Sequence, residues 1–163
     1  MIEIPLSRGN VAIIDDEDLE LVSRYKWHAV TPPSAQTPYA TTHVPGDHDK
    51  AILLHRLILG VPPDVHVDHR DGDGLNCRRY NLRAATRAQN AANRRRNRKS
   101  VSGFKGVTFH KGVRKWRVRI RKDGKLFHLG FFTKAEDGAR RYDEEAVRLF
   151  GEWARLNFPA ELH

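Results

Sequence analysis

Cysteine occurs once among the 163 residues, at Cys77, so the chain has no internal disulfide and no cysteine-built zinc site. Its nine histidines are scattered, and none joins a cysteine at zinc-finger spacing. A structural zinc is therefore not expected. No apolar run approaches the roughly eighteen residues of a membrane span. The opening MIEIPLSRGN lacks the basic and apolar regions of a secretion signal. These absences point away from the membrane and toward a reducing, cytoplasmic setting.

Acidic residues are scarce in one part of the chain only. Residues 1–60 hold five Lys/Arg against eight Asp/Glu, whereas residues 61–163 hold twenty-four against twelve. The net charge of +9 is thus the work of the second part, the electrostatic footprint of a polyanion binder. With 39% hydrophobic and 30% charged residues, the chain is expected to build thin globular cores.

The first sixty residues read as a small α/β support. VAIID (11–15) is strand-like, and DDEDLELVSRY (15–25) reads as a helix with Asp15 or Asp16 as N-cap. KWHAV and PYATTHV are strand-like across a Pro-rich turn, and KAILLHRLILG (50–60) is a buried apolar run ended by Gly60. DVHVDH, RDGDGLN, RRYNLRAA and RAQNAANRR then follow as strand, loop, strand and helix, with Thr86 as the helix cap. Five Lys/Arg crowd residues 94–99, a block that suits a solvated or anion-bound linker.

Cleaving a phosphodiester bond calls for a cation at the phosphate, ligands for it, and a base for water. Asp68 offers a carboxylate at a strand end, and Asn90 an amide oxygen from the following helix. His69, on the opposite side of the strand from Asp68, is a base that works near neutral pH. Asp71 and Asp73 suit side-chain-to-backbone bonds that shape the loop, or a place near the metal. His55 is read as a histidine of the support sheet or a phosphate contact, and Asn93 as a surface or phosphate-contacting residue.

The stretch VDHRDGDGLNCRRYNLRAATRAQN (67–90) resembles the ββα-metal motif of HNH nucleases, in the subgroup of phage and intron homing endonucleases. The upstream IPLSRGNVAIIDDEDLELVSRYKWHA and LLHRLILG resemble the segment before that motif. The resemblance implies that Asp68 and Asn90 hold one Mg²⁺ (or Mn²⁺) per active site. It implies His69 as general base, with Asn81 tying the hairpin together and helping to orient the histidine. The final His of the family name is Asn90 here, a replacement usual among the homing members.

From Phe104 a second unit begins. FKGVTFH, KWRVRIR and KLFHLGFF read as three strands, the last two joined by a turn at Asp123-Gly124. Thr133 is the expected cap of a helix running to Phe150, with Ala139, Tyr142, Ala146 and Leu149 as its apolar stripe. Alternation along the middle strand puts Trp116, Val118 and Ile120 toward that helix and Arg117, Arg119 and Arg121 on the open face. Three aligned guanidinium groups, roughly 6–7 Å apart, match phosphates and guanine edges.

Residues 102–159, with KGV, KW, the ARRYDEEAVRLFG helix and the closing LNFP, are similar to the Apetala-two/ethylene-response-factor DNA-binding domain. The resemblance implies that the sheet enters the major groove of duplex DNA. Lys105, Gly106, His110, Arg119, Arg121 and His128 lie at contact positions, and Arg117 shares their face. Thr108, Leu126 and His128 stand where larger contact residues are usual, so the family's target sequence is not carried over.

The expected fold class is α+β: a ββα-metal HNH nuclease module followed by a three-stranded antiparallel sheet packed on one helix. The expected domains are 1–95 (support 1–60, motif 61–95), a basic linker 96–103 and the sheet domain 104–159. Arg94, Arg95 and Arg96 are expected to follow the DNA backbone. The expected function is a metal-dependent DNA endonuclease of the homing type. The alternatives are a DNA-binding regulator with an inactive nuclease half and a general basic or RNA-binding protein; monomer and homodimer both stay open.

Overall fold

The computed structural model describes residues 1–33, 35–44, 46–96 and 100–161. The chain divides into two compact units, 1–86 and 87–163, and its elements mix helices with antiparallel sheets in the expected α+β class. The division falls ahead of the helix expected to close the first module. The linker expected at 96–103 includes residues 97–99, which lie outside the described residues. No helix among the described residues is long and apolar enough to cross a membrane.

In the first unit, strands β1 (Ile2–Pro5) and β2 (Val11–Ile14) pair antiparallel with Ile2 opposite Ile14. β1 adds to the expected elements; four residues are too few to show a period. The helix expected over 15–25 is instead a 3₁₀ turn over Asp16–Asp18 and a one-turn helix α1 (Leu19–Val22). The reason is tertiary. Asp15 makes no cap bond; its carboxylate accepts the Arg78 Nε–H (3.0 Å) and the Arg79 backbone N–H (2.8 Å). The buried Asp18 accepts from Nε and Nη2 of Arg79 at 3.1 and 2.6 Å. A buried carboxylate without such a partner costs several kcal/mol, more than helix propensity offers.

Strands β3 (His28–Val30), β4 (Tyr39–Val44) and β5 (Asp47–Leu53) form a sheet in that order. β5 runs straight into helix α2 (Leu54–Leu59), which ends at Gly60 in the left-handed region (φ 65°). The apolar run 50–60 is therefore half strand and half helix; Leu54, His55 and Ile58 are its buried helical residues. Leu54 and Ile58 join Ala12, Ile14, Val22, Trp27, Ala40, Leu75, Cys77 and Leu82 around one core.

Strands β6 (His66–His69) and β7 (Leu82–Ala85) pair antiparallel, with Asp68 opposite Arg83 and His69 opposite Leu82. The loop between them docks on β2. The Ile13 N–H donates to the Leu75 carbonyl (2.9 Å), and the Cys77 N–H donates to the Ile13 carbonyl (2.8 Å). Leu75 and Cys77 are buried there. Burial pushes the Cys77 thiol up to about 12, so it packs as a small apolar residue.

In the second unit, helix α3 (Arg87–Asn93) precedes β8 (Val107–His110), β9 (Lys115–Lys122) and β10 (Lys125–Phe132), which form a sheet in the order β10-β9-β8. Asp123 and Gly124 both have positive φ (49° and 77°), the mirror-image turn that matches strand twist. Helix α4 (Ala135–Phe150) covers the sheet through Ala139, Tyr142 and Ala146, with Leu149 packed beside them. Lys134, not Thr133, is its N-cap residue, and no side chain caps it; Glu136 and Asp137 face the positive helix end instead.

The closing LNFP is tied down by the buried Asp143. Its carboxylate accepts the backbone N–H groups of Asn157 (2.8 Å) and Phe158 (2.7 Å) and the Asn157 amide (3.0 Å). Asn157 Oδ1 in turn accepts the Lys105 N–H at 2.7 Å. Gly106 completes the corner: its φ is +79°, and a Cβ there would lie 2.1 Å from the Tyr142 ring. Gly106→Ala should destabilise the unit by at least about 2 kcal/mol, combining left-handed strain with overpacking. Gly124→Ala, with a similar φ but open space around it, should lose only about 1 kcal/mol. Urea unfolding of the two variants checks the contrast.

Candidate active site and sheet face

The β6–β7 hairpin gathers most of the first unit's candidate residues. Asp68 is 4% and His69 6% exposed. Successive strand residues face opposite ways, and the two side chains do meet different neighbours. Asp68 Oδ2 accepts the Nε–H of Arg83, its cross-strand partner, at 2.9 Å. Both groups are buried, so the pair is a shielded one that fixes the carboxylate's orientation.

Asn81, 1% exposed, spans the loop. Its amide donates to the Asn76 carbonyl (2.7 Å) and to Asp71 Oδ1 (3.0 Å), and its Oδ1 accepts the Asp71 N–H (3.1 Å). Its own carbonyl accepts the Arg70 N–H at 2.9 Å. Asp71 and Asp73 shape the turn as expected, accepting the backbone N–H groups of Asp73 (2.8 Å) and Leu75 (3.0 Å). Burial works to raise the Asp71 pKa. The Asp73 N–H and the amides of Asn76 and Asn81, with His69 nearby, nevertheless hold it below the usual carboxylate range.

His69 faces an aromatic pair. Its ring stands edge-on to His55, with centroids 5.0 Å apart and planes at 84°, and the Tyr39 ring lies 5.4 Å from His55 and 5.9 Å from His69. Burial pushes the His69 pKa down, against the upward pull of Asp71, Asp68 and Asp73. The imidazole is thereby kept neutral, the form a general base needs. Tyr39 carried no sequence signal, because it comes from β4, thirty residues upstream. Gly74 lets it close in: a Cβ there would lie 2.4 Å from the Pro38 carbonyl and 2.8 Å from the Tyr39 ring. Among the described residues, no three His, Cys, Asp or Glu side chains gather as for a metal ion.

Asn90 stands half-buried in α3, in the second unit, with the buried Asn93 one turn on. Asn93 is thus not the surface residue expected. Arg94, Arg95 and Arg96 follow, exposed. Arg95 and Arg96 line a groove of about 590 Å³ with Lys111 and Phe109. Two expected contact residues have internal work instead. The Lys105 ammonium donates to the Ala92 carbonyl at the end of α3, and burial lowers its pKa to about 8. Gly106 is where it is for the Tyr142 ring.

On the open face of the sheet, cross-strand pairing sets Thr108 and Phe131 beside Arg117, His128 beside Arg119, and Leu126 beside Arg121. Arg121 donates to the Gly124 carbonyl (3.1 Å), and His110 Nδ1 accepts the Val113 N–H (3.3 Å). Phe131 was not expected there. Plain alternation along KLFHLGFF sends it inward, but a bulge between His128 and Gly130 shifts the register. Phe131 emerges 39% exposed, with His128 and His110 rings at 4.8 and 5.5 Å.

The profile of the HNH endonuclease family matches residues 53–92. An uncharacterised HNH endonuclease of Acanthamoeba polyphaga mimivirus is 31% identical over 157 residues, 92% of this chain and 76% of the viral protein. A protein of Escherichia phage T7 is 34% identical over 96 residues, 59% of this chain and 78% of its own length. An AP2-like ethylene-responsive transcription factor of Arabidopsis thaliana is 40% identical over 65 residues, 40% of this chain but 13% of the plant protein. No solved structure gives a significant match.

His55 makes the fold acid-sensitive. Burial, then His69 and Arg56, lower its pKa to about 3, against about 6.5 in an unfolded chain. As the pH falls below about 6.5, the unfolded state takes up a proton that the folded state refuses, so stability is lost. The loss from this group should be roughly 1.4 kcal/mol per pH unit until about pH 3. Unfolding curves between about pH 6.5 and pH 4 should show a shallower decline in His55→Phe than in the wild type.

Proposed function

The chain belongs to the HNH endonuclease family and carries an Apetala-two-like DNA-binding segment, and we propose from this that it is a metal-dependent DNA endonuclease of the homing type. The observation that carries the reading is His69: a buried, neutral imidazole next to Asp68, on a hairpin whose loop is held by Asn81. The Asp68 carboxylate suits a hard cation, and Asn90 is the second ligand that the family resemblance implies. Mg²⁺ and Mn²⁺ take few protein ligands and keep positions for water and phosphate. One such ion per active site would supply charge neutralisation at the scissile phosphate.

The chain's own residues do the rest. His69 takes the proton of the attacking water, and its neutrality at working pH leaves it ready to do so. Arg83 holds the Asp68 carboxylate in one orientation through a buried bond. Asn81 keeps the loop from relaxing around the histidine. Arg117, Arg119 and Arg121, with His110 and His128, present donors to duplex DNA, and Phe131 gives that face an apolar centre that suits a thymine methyl group. Arg94, Arg95 and Arg96 neutralise backbone phosphates. Lys105 and Gly106 serve the fold as well.

His69→Ala should abolish cleavage of plasmid DNA while leaving DNA affinity within about twofold; a variant that still nicks would remove His69 as the base. Chelation with EDTA should stop the reaction and added Mg²⁺ or Mn²⁺ restore it, and activity that persists in EDTA would contradict the metal site. The double change Arg119→Ala, Arg121→Ala should weaken binding by several kcal/mol at fixed salt, at roughly 1–3 kcal/mol for each base contact. A gel shift measures it, and unchanged affinity would mean that the face is merely solvated.

A further inference from the structure

Phe109 is an aromatic ring that the second unit's core leaves half outside. It lies on the edge strand β8 and pairs with Trp116, on the side of the sheet that α4 covers. Val107, two residues earlier on the same side, is 1% exposed, whereas Phe109 is 47% exposed. A single exposed aromatic calls for no explanation. Phe109, however, lines the groove of about 590 Å³, a volume within the roughly 300–1,000 Å³ of sites for drug-sized ligands.

Two chemistries meet in that groove. Val107 and Phe109 give it an apolar lining, to which Val101, 91% exposed, adds. Arg95, Arg96 and Lys111, all exposed, bring positive charge, and no acidic side chain lines the groove among the described residues. Every one of these residues belongs to the second unit. The Phe109 and Trp116 rings lie 5.1 Å apart and inclined at 70°, so this contact takes at most one face of the Phe109 ring.

Cations without acidic neighbours select a polyanion. The apolar lining selects further, because a duplex keeps its base faces stacked inside. An unpaired strand offers both partners, phosphates for the cations and bare base faces for an aromatic ring. Resting on the reading of this chain as a protein that acts on DNA, we propose that the groove binds an unpaired stretch of a DNA strand. One base stacks on Phe109, while Arg95, Arg96 and Lys111 hold the phosphates beside it. The Phe109 ring is on the opposite side of the sheet from Arg117, Arg119 and Arg121. The unit thus grips duplex on one face and loose strand at its edge, as suits DNA that has been opened or nicked.

The test measures binding by the full chain in EDTA, so that cleavage plays no part. Fluorescence anisotropy compares a labelled oligothymidylate of about ten nucleotides with an abasic strand of equal length, which keeps the phosphates and lacks the bases. The wild type should prefer the oligothymidylate by at least about fivefold, the scale of one base stacked on one aromatic ring. Phe109→Ala should lose that preference and Phe109→Trp keep it, both with duplex affinity within about twofold of wild type. Lys111→Gln should weaken both strands and lower the slope of log affinity against log salt by about 0.7.

An absent preference in the wild type, or one that survives in Phe109→Ala, would overturn the proposal. So would equal displacement by polyglutamate, tighter binding of oligouridylate than of oligothymidylate, or a dimer that Phe109→Ala dissolves. Should Phe109→Ala fold poorly, Phe109→Leu, which fills the space without a ring, takes its place. A wild type that binds no duplex would count against the reading of the arginine face, and the oligothymidylate comparison still decides the groove.

Discussion

The Asn81 amide is the polar group on which the arrangement of the first unit's site depends. It sits almost wholly out of water, and it makes three hydrogen bonds at once: two with Asp71, through backbone and side chain, and one with the Asn76 carbonyl. A shorter side chain cannot reach them, and a charged one cannot both donate and accept. Because each partner is itself engaged, the turn from His69 to Asn81 has one conformation. Asp71 supports Asp73, Asp73 supports Leu75, and Leu75 meets Ile13. A twelve-residue connection that would otherwise be mobile thereby becomes part of the core.

Ion pairs reinforce this connection from outside. Arg78 and Arg79 lock onto Asp15 and Asp18, so the acidic segment of the support region faces the hairpin rather than capping a helix. The Asp68–Arg83 pair does the same within the hairpin. Where a partner is buried, as Asp18, Asp68 and Arg83 are, such a pair adds little net stability but strongly disfavours alternatives that would leave one charge alone. That is how a thin, charge-rich unit holds the side chains of the candidate site still: polar groups specify the geometry, and the small apolar core beneath them supplies the cohesion.

The second unit solves the same problem differently. Its core is a plain sheet-and-helix sandwich, and the polar device is Asp143, which gathers the closing Asn157 and Phe158 and, through Asn157, the Lys105 backbone. This leaves the opposite sheet face to arginines, two histidines and one phenylalanine. The bulge at Leu129 is what adds Phe131 to that face.

Much of this was legible in the sequence, because short-range order reports itself. Period-two alternation located β8, β9 and β10, Asp123-Gly124 named the turn, and a three-to-four-residue stripe found the face of α4. The order of Asp68, His69, Asn81 and Asn90 marked the candidate site through family resemblance. What sequence could not reach depended on partners distant along the chain. Asp15 read as a helix cap until Arg78 and Arg79, some sixty residues later, claimed it and the nearby Asp18. Tyr39 became a neighbour of His69 only when β4 packed near the hairpin. Lys105 and Gly106 also turn out to serve the fold, through the Ala92 carbonyl and the Tyr142 ring. Phe131 changed faces because a single extra residue in β10 reversed its alternation. Local propensity and spacing determine which elements form; which polar group finds which partner is decided only when the chain has closed on itself, since burial makes every unmet charge or hydrogen bond costly.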